Sequence, residues 1–260
     1  MASPLNSETL SSEPEGHKHH FRLAYGVLAL AFWISLAVFV LLIARPNHSK
    51  PVAWSAWKPD TQGLLGAREI SLRIAPQYKG VNGAQLIAVQ PHGPQVQGLR
   101  LEAIGVRRLN SGGQIDPYIG MYRTDNTLIY AFCGLQTNCG LQGETTDEVQ
   151  RSLRRAALEL SLYSFKYLKG IDQVVSLVQS VKAGGTSAVF LRKDDLEPEL
   201  KHPLRDTLPL AAAPNATSAD PKEAAVIDAL TVQNTFPAHF EPLPDGDAIL
   251  VLDVENQASP

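Results

Sequence analysis

The stretch TTDEVQRSLRRAALELSLYSFKYLKG, residues 145–170, decides how this chain folds. Val149, Leu153, Ala156, Leu160, Tyr163 and Tyr167 recur at spacings of four and three. That spacing draws one apolar stripe along a helix from about Thr146 to Lys169. Thr145 and Glu148 have the spacing of a capping box, and Asp147 and Glu148 suit the positive helix start. Lys166 and Lys169 fall in the last turn, and Gly170 can cap it. The stripe is too short for a convincing coiled coil, and its tyrosines and alanine suit the surface of a sheet.

Strands are readable on both sides of that helix. Upstream, Glu69-Ile-Ser-Leu-Arg-Ile74 alternates polar and apolar residues, the pattern of a half-buried strand. Gln85–Val89 is a short apolar run, and Leu99–Ile104 with Val106 leads to the turn residues Asn110-Ser-Gly-Gly113. Tyr118–Tyr122 and Leu128–Phe132 flank Thr124-Asp-Asn-Thr127, which reads as a hairpin. Downstream, Gln173–Val181 and Ser187–Arg192 flank Lys182-Ala-Gly-Gly185, a second hairpin. Glu223–Leu230 reads as a short helix. Ala248–Leu252 reads as a strand after the turn residues Pro244-Asp-Gly-Asp247. The expected fold is α+β, with a mainly antiparallel sheet packed against one long helix.

Nearer the N-terminus, Leu23–Ala44 runs for 22 positions without a charge. As a helix it reaches about 33 Å, enough to cross a hydrocarbon core of about 30 Å. It exceeds a signal-peptide core, and Ile43-Ala44-Arg45-Pro46 makes a poor cleavage site. The expected organisation is a disordered tail at 1–22, a transmembrane helix at 23–44 and a Pro/Gly-rich tether at 45–67. An α+β domain at 68–193 and a Pro/Ala-rich acidic linker at 194–222 follow. A C-terminal helix and strand at 223–260 complete that same domain.

Charge is unevenly spread. Arg45–Lys193 holds 18 Lys/Arg against 10 Asp/Glu, while Asp194–Pro260 holds 3 against 13. The acidic extension could fold back on the basic part, or the basic part could face anionic lipid, or the two could be plain surfaces of different composition. Arg151, Arg154 and Arg155 cluster early on the long helix; a solvated face and a lipid or partner contact are the two readings. Nucleic acid would want a broader basic surface with aromatic platforms.

The positive-inside rule is undecided, because the flanks of 23–44 carry similar charge. Cys133 and Cys139 break the tie. Gly134, Asn138 and Gly140 permit a turn that would let the two cysteines join in an oxidising compartment; in a reducing one they are two separate thiols. The favoured orientation puts the N-terminus in the cytoplasm and the C-terminal domain outside.

Ala157–Tyr167 leading into Gly170-Ile-Asp-Gln-Val-Val175, and Ala188-Val-Phe-Leu-Arg192 leading into Leu196–Leu200 and Pro203-Leu-Arg205, resemble uncharacterised single-pass membrane proteins of actinobacteria. The resemblance implies a bacterial envelope setting and brings no known activity or functional residue.

Motifs that carry chemistry are few in this chain. Ser55-Ala-Trp-Lys58 has the Ser-x-x-Lys spacing of serine acylases but lacks their companion motifs and lies among prolines. His17, His19 and His20 sit in a tail with no fixed geometry, and Asp245, Asp247 and Asp253 lack the calcium-loop spacing. The sequence therefore names no catalytic residue, no metal and no cofactor. The leading expectation is a membrane-anchored envelope protein that binds or scaffolds a partner, held in the bilayer by residues 23–44 and partnered by another envelope protein. The alternative is an anchored hydrolase or transferase with a dispersed site, for which His92, Tyr118, Arg123 and Asp125 near strand ends are the first residues to inspect.

Overall fold

A computed structural model describes residues 25, 28–36, 57–80, 83–96, 98–110, 112–134, 146–179, 185–209 and 220–254. The chain divides into two units, Met1–Pro51 and Val52–Pro260. In the first, the described residues 28–36 are helical and expose their side chains, Phe32 and Trp33 among them. Among the described residues no helix is long and apolar enough to cross a membrane, and most of the expected span lies outside them.

The second unit is α+β. Its strands are β1 (Ala88–His92), β2 (Gln95–Val96), β3 (Leu99–Val106), β4 (Gly120–Arg123), β5 (Thr127–Cys133), β6 (Gln173–Gln179), β7 (Thr186–Arg192), β8 (Thr235–Pro242) and β9 (Ala248–Leu252). They form one nine-stranded sheet in the order β1-β5-β6-β7-β8-β9-β3-β2, with β4 beside β3. The longer helices are α1 (Gly63–Ile74), α2 (Asp147–Tyr167) and α3 (Pro221–Thr231).

The sheet is mixed: β5/β6 and β3/β9 run parallel, and the other pairings are antiparallel. Parallel neighbours need a crossover connection, and α2 is the crossover from β5 to β6. Thr146 caps α2 by accepting from the Val149 amide, one residue after the Thr145 expected for that role. Gly170 takes φ +70°, open to glycine without strain, just past the helix end.

Alternating residues build two cores. Leu128, Tyr130 and Phe132 of β5, Val174 and Val178 of β6, and Val189 and Leu191 of β7 face the helices. The helical side is shared: Ala67, Ile70 and Ile74 of α1, Leu153, Ala156 and Leu160 of α2, and Ile227 of α3 all meet there. The expectation of one long helix against the sheet is corrected to this three-helix layer. Gln62, just ahead of α1, fastens it to the end of α2, donating to the Tyr167 carbonyl at 3.1 Å and accepting from the Lys169 amide at 3.0 Å.

The other strand face folds over on itself. Ile129, Val175 and Phe190 share a core with Leu101, Ile104, Leu250 and Phe236, although β3 and β5 are far apart in strand order. The Tyr122 ring of β4 meets Phe190 of β7 at 5.3 Å, and the Thr124 hydroxyl donates to the Leu101 carbonyl at 2.5 Å.

Three local expectations change. Glu69–Ile74 is helix, not strand: α1 keeps Ile70 and Ile74, one turn apart, in the core and turns Leu72 out, 68% exposed. The hairpin read across Thr124–Thr127 does not pair, because β4 pairs with β3 while β5 pairs with β1 and β6. Residues 194–209 of the expected linker pack on the domain through buried Leu196, Leu204 and Leu208; 210–219 lie outside the described residues.

Candidate functional site: a buried charge cluster between helices

α2 and α3 meet through charge. Arg155 lies at the centre, 2% exposed. Its Nε donates to Glu223 Oε1 of α3 at 2.8 Å. Its Nη1 donates to the Tyr78 hydroxyl at 2.8 Å and to Glu159 Oε2, one turn along α2, at 3.1 Å. The Tyr78 hydroxyl in turn donates to Glu159 Oε2 at 2.7 Å. Glu159, Glu223 and Tyr78 are all buried. At the rim, Arg154 Nη2 reaches Asp228 Oδ1 at 2.6 Å and Arg151 Nε reaches Asp228 Oδ2 at 3.1 Å.

Helical spacing explains the arrangement. Arg151, Arg154 and Arg155 share a side of α2, and α3 runs antiparallel to it, so Arg155 meets Glu223 near the start of α3 while Arg151 and Arg154 meet Asp228 further along. Burial pushes the Glu159 carboxyl above its ordinary range, against the pull of Arg155 and the Tyr78 bond. Burial lifts the Tyr78 phenol well above its usual value, helped by the Glu159 charge. Burial alone would lower Arg155; Tyr78, Glu159 and Glu223 around it raise it instead. Burial also works against the Asp228 charge, but the bonds from Arg154 and Arg151 win and hold its carboxyl low. Two buried atoms, Glu223 Oε2 and Arg154 Nε, lack a hydrogen-bond partner.

The core of the cluster, Tyr78, Arg155, Glu159 and Glu223, is buried from solvent. Its members hold α3, and with it the acidic C-terminal part, against the basic helix. Arg151, Arg154 and Arg155 are thus not a free face: their guanidiniums are engaged by Asp228, Glu159 and Glu223. Glu223 and Tyr78 were not flagged from sequence. A usable signal did exist, because Glu159 is the single charge inside the apolar run Ala156–Phe165, which marks a buried partner.

The residues chosen for inspection do not converge. Arg123 and Asp125 pair at 2.9 Å and are both exposed. Tyr118 is 82% exposed and His92 is exposed; no hydrogen bond or ion pair among the described residues links their side chains to that pair. Lys58 is exposed, while Ser55 and the histidines at 17, 19 and 20 lie outside the described residues. Cys133 ends β5 opposite Ala88, and Cys139 lies outside them.

Among the described residues, Glu102, Asp245 and Asp247 are placed to hold a cation, with oxygens within 4.8 Å of one another. Asp253 is not among them; it pairs with Arg107 at 3.1 Å. Glu102 joins the two aspartates because β3 runs parallel beside β9, a pairing no local pattern announces.

No family model, curated protein or solved structure matches the chain.

Proposed function

We propose that this chain is a membrane-anchored envelope protein whose C-terminal domain, outside the membrane, binds or scaffolds a partner. The anchor reading rests on the 22 uncharged residues at Leu23–Ala44. The outside placement rests on Cys133 and Cys139, which Gly134, Asn138 and Gly140 would let join in an oxidising compartment.

The binding reading rests on where the domain puts its polar and apolar groups. Its densest set of ionisable side chains is buried and internally paired. Its surface instead presents Leu109, Ile115, Tyr118, Ile119 and Met121 around β4, each more than two-fifths exposed. Ile119 and Met121 flank Gly105 on the outer side of the sheet. Exposed apolar side chains gathered on one stretch of chain are a feature of interaction surfaces.

Photo-crosslinking in native membranes tests both parts. A photoreactive residue at Tyr118 should give a discrete adduct that the same residue at Lys58 does not give. Equal labelling at the two positions would remove the case for a binding face. Full release of the unaltered chain by carbonate washing would remove the anchor.

A further inference from the structure

We infer that the seat of α3 on α2 is a one-proton clasp, in which two buried carboxylates share one guanidinium and a proton supplies the missing positive charge. The proposal concerns the helix interface and stands apart from the anchored-binder reading.

The geometry divides the interface into unequal halves. The buried half holds Glu159 and Glu223 around Arg155, with the Tyr78 phenol from the turn after α1 as a neutral donor. With both carboxylates ionised it carries one net negative charge. Glu223 Oε2 makes this excess concrete, since it is buried with no partner. The rim half has the opposite imbalance, Arg151 and Arg154 on one Asp228; Arg154 Nε is buried without a partner, but all three side chains are partly exposed, and water screens their excess. A buried charge without a partner is costly, and protonation is the usual relief.

The direction of the pH dependence follows. Burial raises the Glu159 carboxyl above its unfolded value. Such a group contributes stability that is complete below the unfolded pKa and is lost as pH rises through the folded one. Tyr78, held well above its ordinary pKa, keeps its proton throughout and goes on donating. Asp228, held low, is ionised across the same interval. The clasp therefore tightens toward weak acid and loosens toward alkali. Loosening lifts α3 and uncovers Ile227 and the α2 surface beneath it.

Hydrogen exchange of the amides in residues 222–231, corrected for intrinsic rates, tests this on the full chain in mild detergent. Between about pH 5 and pH 9 the opening of α3 should increase, by up to about tenfold per pH unit while one proton is released. Glu159→Gln and Glu223→Gln should each flatten that rise, because either leaves one carboxylate for one guanidinium. Asp228→Asn should raise opening at every pH and keep the slope. A wild-type profile that is flat, or a Glu159→Gln slope equal to wild type, overturns the proposal, as does an Asp228→Asn profile that flattens like the others. Should Glu159→Gln fail to fold, the Glu223→Gln slope decides alone.

Discussion

The hydroxyls of Tyr130 and Ser164 lie 2.8 Å apart, both buried, and join β5 to the long helix α2. Ser164 spends its one hydroxyl proton on the Leu160 carbonyl at 2.7 Å, so Tyr130 is the donor between the two.

That assignment ranks two substitutions. Tyr130→Phe leaves Ser164 donating as before and should cost about 0.5–1.5 kcal/mol. Ser164→Ala strands the buried phenol and should cost more, about 1–3 kcal/mol. Denaturant melts of the two variants check the order; equal losses would mean that Tyr130 does not depend on Ser164.

Breaking the buried cluster should be severe. Arg155→Met leaves Glu159 and Glu223 buried without their cation, and we expect a loss of about 3–5 kcal/mol. Arg151→Ala, at the rim, should cost about 1 kcal/mol or less. Chemical denaturation at neutral pH compares them, and a mild Arg155→Met would show that water enters the site freely.

Gly66 is a packing constraint. A Cβ there would lie 2.4 Å from the Thr61 carbonyl oxygen and 2.7 Å from Leu168 Cδ2. The leucine can turn aside, but the backbone carbonyl cannot. Gly66→Ala should therefore lose about 1–3 kcal/mol despite the better helix propensity of alanine. At Gly93 a Cβ meets nothing within 4 Å, and Gly93→Ala should stay within about 0.5 kcal/mol. Thermal melts of the pair provide the comparison.

The cysteines report the compartment. If the domain lies outside, alkylation of the protein from its native membrane should label neither Cys133 nor Cys139 until reductant is added. Labelling of both without reductant would place the domain in a reducing space.

Local pattern made much of this fold legible. The stripe from Val149 to Tyr167 is α2, and Ala248–Leu252 is β9 with the expected bounds. Both are regular enough, and long enough or sharply enough bounded, for periodicity to speak. Glu69–Ile74 misled because six residues fit both periods; Ile70 and Ile74 suit a helix as well as a strand, and only tertiary packing decides where Leu72 goes. The partner of β4 was hidden for a different reason, since adjacency in sequence favours β5 while the core beneath Tyr122 draws β4 to β3. The charge cluster joins Tyr78, Arg155 and Glu223, which no spacing relates, and only the lone Glu159 in its apolar run hinted at it.

β9 lies between β8 and β3, with Ile104 in register with Leu250, so strands from the two ends of the domain are immediate neighbours. A ribosome delivers β3 early and β9 last. In the interval β3 has β2 and β4 on one side and an empty slot where β9 belongs, and Leu101, Ile104 and Val106 have no completed core to enter. Pairings of such long range fold slowly. Vectorial synthesis thus leaves the core shared by β3 and β9 unfinished after the helix-side core has all its residues, so this face of the domain closes only when β9 emerges.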